Sequence, residues 1–293
     1  MAQTTSEFKG GTKQPGLFPQ LTKNTFFLLI YLLLIVLALS MIFPYVWMIS
    51  NSLKSRTDFF TNPYALIPAP PTLSTYADAF SIGRMNVYVI NSALYAVVVL
   101  FAQLFINSLA AYAFARVEFP GRETLFLAVL ATLMLPGSVT LIPTFLIAHK
   151  LALTNTFWGV VLPGFVGAFG IFLLRQFFLN IPSELEQAAR IDGCGFFGIY
   201  WRIMLPLAKP AIITLGVFIF LSEWSSFVWP LIVLSDWKKY PVTVGIALFR
   251  DVNSTNWPAV FAGSTIVSFP IIFLFLIAQK YIIGGISLSG LKG

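Results

Sequence analysis

The sequence contains one cysteine, one histidine and few charges, and each shortage excludes a class of protein. Because Cys194 is alone, no internal disulfide holds the fold, and with His149 as the only imidazole no metal-ligand cluster is expected. Charged residues make up 10% of the 293 residues, whereas a soluble domain has about 25%. Hydrophobic residues make up 58% and include 30 phenylalanines. This composition indicates a membrane protein with several spans.

Long runs without charge predict six transmembrane helices, since each run exceeds the ~20 residues needed to cross the hydrocarbon core. The runs lie between Lys23 and Lys54, Arg84 and Arg116, Glu123 and His149, Lys150 and Arg175, Lys209 and Asp236, and Asp251 and Lys280. Helices are expected because open strands leave their backbone groups unsatisfied in lipid. The predicted fold class is therefore an all-α membrane protein. Lys and Arg are more frequent on the side of the termini, which favours cytoplasmic N- and C-termini.

The distribution of charge and proline divides the chain into predicted segments. These are a cytoplasmic arm 1–24, a first helix 25–50, an outer loop 51–84, a core 85–283 of five helices with an inner loop 180–208, and a cytoplasmic tail 284–293.

The inner loop 180–208 is the most polar stretch of the second half. Ser183 and Glu186 match a capping box at the start of a short helix, and Gly193 offers the left-handed conformation that ends a helix. A second short segment is expected to hold the span ends through a stripe formed by Phe197, Tyr200, Trp201 and Met204. Small side chains and the glycine turn would then face a partner's groove. An interfacial amphipathic linker without a partner fits this local pattern equally well.

Several motifs in the chain match a known family. The loop has Gln187-Ala188-Ala189, then Gly193 after three residues, then Ile203-Met204-Leu205-Pro206 after nine more. This pattern resembles the Glu-Ala-Ala motif of inner-membrane permease subunits of binding-protein-dependent ABC importers, with Gln187 in place of Glu. The stretches Arg190 to Gly193 and Glu223 to Phe227 are similar to the MalG-like, carbohydrate branch of that family.

The resemblance implies a MetI-like permease architecture, in which the loop contains a coupling helix that contacts a cytoplasmic ATPase. The residues that it assigns to this role are Glu186, Gln187, Ala188, Ala189, Arg190, Asp192, Gly193, Ile203, Leu205 and Pro206. Gln187 puts one family salt bridge in doubt, and Arg190 and Asp192 pair either with the partner or with solvent. The tail from Ser287 would reach between two ATPase subunits or fray as an ordinary terminus.

The resemblance also implies the partners and the location. The chain would form half of the translocation pathway for a sugar or oligosaccharide in a bacterial cytoplasmic (inner) membrane. Its partners would be a second homologous permease subunit, two ATPase subunits, and a periplasmic or lipid-anchored sugar-binding protein. ATP and Mg would bind the ATPase, and this chain would hold no cofactor and no nucleic acid.

Glu223 is an acidic residue in the middle of the predicted fifth span. Because a charge there costs ~2.5–3.5 kcal/mol, it should face the bundle interior or a hydrated cavity. The predicted substrate path consists of Glu223, Trp224, Ser225, Trp229 and, in the second span, Asn107. A packing role near a helix break, which Pro230 favours, is the alternative for Glu223. For Asn107, as for Asn91 and Gln103, polar contacts between helices are the stronger expectation.

Two other functions remain open on the residues alone. An ion-coupled secondary transporter could use Glu223 as its carrier site, but it leaves the loop 183–206 unexplained. A membrane enzyme lacks any workable set of catalytic side chains in this sequence. Basic residues on the outer side leave room for an acidic saccharide, and topology explains them as well.

Overall fold

The computed structural model describes residues 17–81, 83–248 and 256–290, with side chains for 25–81, 83–248 and 256–279. These residues form helices, and no β-strand occurs among them. Four helical segments in this part of the chain are long and apolar enough to cross a membrane, and two bent helix pairs each qualify as a further crossing. The predicted all-α membrane fold is confirmed.

The first half of the chain carries two long helices and several short ones. They are α1 (Leu17–Ser52), α2 (Arg56–Thr61), α3 (Ser74–Ser81), α4 (Met85–Arg116), α5 (Arg122–Ala131) and α6 (Gly137–Lys150). The helix α1 begins inside the segment predicted as the arm 1–24, of which residues 1–16 lie outside the described residues. The predicted second span coincides with α4.

The predicted third span is not one straight helix. A bend of 104° separates the segment Arg122–Met134 from α6. Pro136 has φ −60° and ψ 135° and immediately precedes α6, while Leu135 before it is also extended. Proline lacks an N–H and forces the preceding residue out of the helical region, so the helix stops and restarts in a new direction.

The second half forms the remaining helices. They are α7 (Phe157–Val161), α8 (Ala168–Leu179), α9 (Glu184–Ile191), α10 (Phe196–Ile199), α11 (Leu205–Leu207), α12 (Lys209–Trp224), α13 (Val228–Val233), α14 (Val242–Ala247) and α15 (Trp257–Gly290). Together α7 and α8 make one crossing through a tighter turn at Leu162–Gly164. The last helix continues into the predicted tail 284–293, whose final three residues lie outside the described residues.

The fifth span is shorter than predicted and ends at Glu223 and Trp224. A bend of 78° separates α12 from the segment before it, and a break at 225–227 separates α12 from α13. Pro230 lies in the first turn of α13, where a missing N–H is tolerated. In a continuous helix its ring would clash with the carbonyl of Ser226. The predicted break is therefore present, but Glu223 sits in the last turn of α12 and not in the middle of a span.

The core is organised around α4, which packs against α8 and α12. Small buried residues such as Ala96, Ala111 and Ala115 let the neighbouring helices approach it closely. By contrast, most side chains of α1 are exposed, and α1 packs beside α15, with the rings of Trp47 and Phe261 5.3 Å apart. Exposed apolar side chains of this kind are what a helix presents to lipid.

The first half of α4 also holds the segment before α14. Asn91 Nδ2 donates to the carbonyls of Lys238 (2.9 Å) and Tyr240 (3.0 Å), and the Tyr95 hydroxyl donates to the carbonyl of Lys239 (2.7 Å). Ser92 Oγ accepts from the Val242 N–H at 2.8 Å. Asn91 therefore attaches the segment 238–240 to α4, which is a packing contact within the fold.

Candidate functional site

The helix α9 begins without the predicted capping box. Ser183 makes no side-chain cap hydrogen bond, and its φ of −68° and ψ of −22° are already helical, whereas a capping serine has an extended backbone. Glu186 is engaged elsewhere, because its Oε1 lies 3.0 Å from Nε of Arg116 at the end of α4. The two charged side chains form an ion pair, which offsets part of the cost of burying each of them.

The end of α9 has the predicted glycine turn. Gly193 has φ +82°, the Cys194 N–H donates to the carbonyl of Ala189 (2.9 Å), and the Gly193 N–H donates to that of Arg190 (3.0 Å). These two bonds define a Schellman motif, in which glycine supplies the left-handed residue. No atom lies within 4 Å of the position of a β-carbon on Gly193, so the turn is open on the outside.

The residues predicted to contact the ATPase do not form one surface. Those exposed on α9 and its turn are Gln187, Ala188, Arg190, Asp192 and Gly193, and Pro206 is also exposed. Glu186 and Ala189 point into the protein and are 5% and 7% exposed. Ile203 and Leu205 are half-buried and pack against the core. We call the exposed residues Gln187, Ala188, Ile191, Asp192 and Gly193 the turn surface.

Exposed apolar side chains lie within the turn surface and in the segment that directly follows it. Ile191 is 87% exposed, and Phe197 and Trp201 are also exposed, with their rings stacked at 6.4 Å. The predicted aromatic stripe is therefore divided, because only Tyr200 and Met204 are buried against the spans. Phe197 and Trp201 form the neighbouring row, one helical turn apart. Large exposed apolar side chains beside a polar rim are typical of an interaction site.

Two polar contacts attach this loop to α4, and sequence reasoning missed both. Arg116 forms an ion pair with Glu186 and also donates hydrogen bonds to the carbonyls of Phe178 (2.6 Å) and Ile181. The hydroxyls of Tyr200 and Ser108 are 2.7 Å apart. The partners are separated by 70 and 92 residues of sequence. The only signal in the sequence was a single arginine directly after a long apolar helix.

A second polar group lies where the span α7–α8 bends. Gln103 Nε2 donates to the carbonyl of Gly164 at 2.8 Å, and the Gly167 N–H donates to Oδ1 of Asn107 at 3.2 Å. Asn107 is completely buried. Its Oδ1 therefore satisfies the free amide that precedes α8, while its Nδ2 is buried without a hydrogen-bond partner among the described residues.

Glu223 lies next to this bend. A β-carbon on Gly164 would be 3.3 Å from Glu223 Oε1. The side chain is half-buried, and in the described part of the chain no group donates a hydrogen bond to its carboxylate. A carboxylate at this depth needs water, a ligand or a partner subunit to offset its desolvation.

The two tryptophans of the predicted substrate path are occupied with the fold. Trp224 is 3% exposed, donates from Nε1 to the carbonyl of Val267 (3.0 Å) and stacks on Phe220. Trp229 donates to the carbonyl of Gly159 at 3.1 Å. The Trp224 indole is therefore covered in this conformation, whereas Trp229 is half-buried and Ser225 is exposed beside Glu223.

Residues 103–287 match the family described as binding-protein-dependent transport system inner membrane component. This match covers more than half of the chain. The chain belongs to that family. It is accordingly a permease subunit, a transport component and not an enzyme, with several helices in the inner membrane.

Known relatives agree with this assignment. The permease is 34% identical to the probable ABC transporter permease protein YurM of Bacillus subtilis, over 90% of this chain and 87% of the relative. It is also 34% identical to the arabinooligosaccharides transport system permease protein AraQ of Halalkalibacterium halodurans, over 86% of this chain and 91% of that one. YtcP of Bacillus subtilis, a polygalacturonan/rhamnogalacturonan transport system permease, is 30% identical.

Solved structures show the same fold. A chain in the crystal structure of a bacterial ABC transporter involved in the import of the acidic polysaccharide alginate matches with a TM-score of 0.81. The identity is 25%, and the match covers 89% of this permease and 97% of that chain.

Proposed function

We propose that this permease forms half of the translocation pathway of an ATP-driven saccharide importer and that its turn surface docks on a separate ATPase subunit. The observation that carries the proposal is the exposed Schellman turn at Gly193, which lies at the position of the family motif and is flanked by uncovered apolar side chains. A small glycine turn allows close approach of a partner's surface, and the apolar side chains around it gain from being covered.

ATP and Mg belong to that partner in this proposal. The sequence has no Gly-x4-Gly-Lys segment of the kind that cradles phosphates. Gly285 and Gly290 have the spacing, but Leu291 stands where lysine is needed. The energy of hydrolysis would therefore reach this chain only through a surface contact.

A second homologous permease would cover the bent third span. Around the bend, Met134, Leu135, Val139 and Ile142 are exposed, and α6 makes its main contacts within the described chain with the short α13. A bent apolar segment with so few neighbours of its own fits the interface with another membrane subunit.

Saccharide would arrive on the outer side from a soluble binding protein. The segment 51–84, which would face that side, contains the buried Lys54 ammonium, which donates to the carbonyl of Asn62 at 2.9 Å. Tyr64 and Ile67 project from it. Relatives named for arabinooligosaccharides and for polygalacturonan support a saccharide as cargo, neutral or acidic.

Reconstitution tests the function directly. The permease would be co-expressed with an ATPase subunit, a second permease and a binding protein from the same organism, purified, and placed in proteoliposomes with labelled arabino-, galacturono- and alginate oligosaccharides. We expect uptake of at least one saccharide that requires both ATP and the binding protein. Uptake driven by a proton gradient without ATP would instead favour the ion-coupled alternative that uses Glu223.

Orientation is tested by thiol labelling in a Cys194→Ser background, since Cys194 is the only native thiol. With cytoplasmic termini, a cysteine at Asn62, and one at Asn253 outside the described residues, should react with an impermeant maleimide added to intact cells. A cysteine at the exposed Ser183 should react only after the membrane is opened. The reverse pattern would place the turn surface outside the cell and remove the proposed ATPase contact.

A further inference from the structure

The buried ion pair between Arg116 and Glu186 lies behind the turn surface and has no part in docking itself. The side chains of Arg116 and Glu186 are 12% and 7% exposed, while Arg190 lies at 3.9 Å from the second oxygen of Glu186. A buried pair is costly to desolvate, and apolar residues in its place are often as stable. Stability alone is therefore a weak reason for its presence.

The position of the pair gives it a second role. Arg116 joins three elements, because it ends α4, forms an ion pair with Glu186 on α9, and donates to the carbonyls of Phe178 and Ile181 at the end of α8. Arg175 on α8 in turn contacts α4, since its Nε donates to the carbonyl of Phe114 at 3.1 Å. The ends of α4 and α8 are thus bonded to each other from both sides, and α9 is attached to them.

We infer that Arg116 and Glu186 are positioning residues for energy coupling, which hold α9 to α4 and α8 so that a displacement of the turn surface moves these two spans. This inference rests on the proposed docking of an ATPase at the turn surface. On the other side of α9, the chain reaches α12 through a π-helical turn (Tyr200–Met204) and a 78° bend. That connection is attached to α4 separately, through the hydroxyls of Tyr200 and Ser108, so Arg116 is the attachment that acts on α9 itself.

Glu186→Leu tests this role, and Glu123→Leu is its matched control. Glu123 belongs to another ion pair at the same end of the molecule, with Arg175 at 2.9 Å, but its side chain is 58% exposed and it does not contact α9. In the reconstituted complex, Glu186→Leu should still co-purify with the ATPase. Saccharide uptake per ATP hydrolysed, and the stimulation of hydrolysis by loaded binding protein, should fall by about 5-fold or more. Glu123→Leu should leave both unchanged.

Further measurements make each outcome decisive. If Glu186→Leu does not accumulate in the membrane, Glu186→Gln, which keeps the size and an acceptor, should show the same loss in smaller measure. Arg116→Lys should also be intermediate, because an ammonium cannot serve a carboxylate and two carbonyls with the geometry of a guanidinium. Normal coupling in Glu186→Leu would overturn the inference, as would loss of ATPase co-purification in that variant alone. Failure of the wild-type permease to bind the ATPase would instead overturn the proposed function.

Discussion

Gly193→Val is expected to abolish saccharide uptake while the permease still accumulates in the membrane. The φ of +82° at this position is unfavourable for a β-branched residue, which costs about 1–3 kcal/mol. The added side chain would also project from the open side of the turn, where the ATPase is proposed to approach. Both effects act on the turn surface and neither touches the core, so uptake should fall by ~10-fold or more with little change in abundance.

Two controls separate backbone strain from contact with the partner. Gly121 also has a positive φ (+80°) with no atom within 4 Å of a β-carbon, and it precedes α5 away from the turn surface. Gly121→Val therefore carries the same strain and should retain uptake. Gly193→Asn tolerates the left-handed conformation but adds bulk to the turn. Uptake should remain low in Gly193→Asn if the ATPase must approach the turn closely. It should recover if the strain of a positive φ is the only effect of the valine.

The same assays can contradict the docking proposal. They consist of uptake, stimulated ATP hydrolysis and co-purification of the ATPase, measured at equal membrane abundance. Wild-type uptake in Gly193→Val would mean that no partner approaches this turn closely.

Glu223→Leu is expected to cause the second large loss of transport. The carboxylate is half-buried beside Gly164 and lacks a donor among the described residues, so water or cargo would solvate it during transport. Glu223→Gln keeps the size and hydrogen-bonding ends of the side chain, and should change the apparent affinity or saccharide preference while uptake continues. Leucine removes every polar contact and should reduce uptake by about 10-fold or more, on the scale of a 1.4 kcal/mol change in binding.

The opposite result has an equally clear meaning. If Glu223 only packs, Glu223→Leu should insert more easily, because the ~2.5–3.5 kcal/mol cost of a charge in the membrane disappears. Uptake near the wild-type level, at matched abundance and with Glu123→Leu as the control for loss of an acidic side chain, would place Glu223 outside the substrate path.

Local physics predicted those features of the fold that a few adjacent residues determine. Long apolar runs predicted the helices, and Gly193 predicted a left-handed turn because only a local backbone rule is involved. The bend before α6 also has a local cause, since Pro136 alone explains it. It was not predicted, because the charge-free run from Glu123 to His149 was interpreted as one straight span. A search for long apolar runs overlooks such a bend, because a proline inside the run changes the direction of the helix without interrupting its hydrophobicity.

The candidate site was harder to predict because its contacts are distant in sequence. Ser183 and Glu186 satisfied the pattern of a capping box, yet the carboxylate forms an ion pair with Arg116, from the end of another span. Trp224 and Asn107 have side chains suited to sugar binding. The Trp224 indole, however, donates to the carbonyl of Val267, and the Asn107 Oδ1 accepts from the Gly167 N–H. Residue type gave the chemistry available, while packing decided which groups were left free.

The helix α4 has a consequence for how a small movement crosses the membrane. Its 32 residues make a rod of about 48 Å, since each residue adds ~1.5 Å. Arg116 and Ser108 bind the loop near one end, and Asn91, Ser92 and Tyr95 hold the segment before α14 near the other. If α4 tilts by about 5° about one end, its other end moves by roughly 4 Å over this length. That displacement is longer than a hydrogen bond can stretch. Tilting α4 therefore either moves the attached segments with it or breaks their hydrogen bonds. One rigid helix can in this way link events on opposite faces of the membrane.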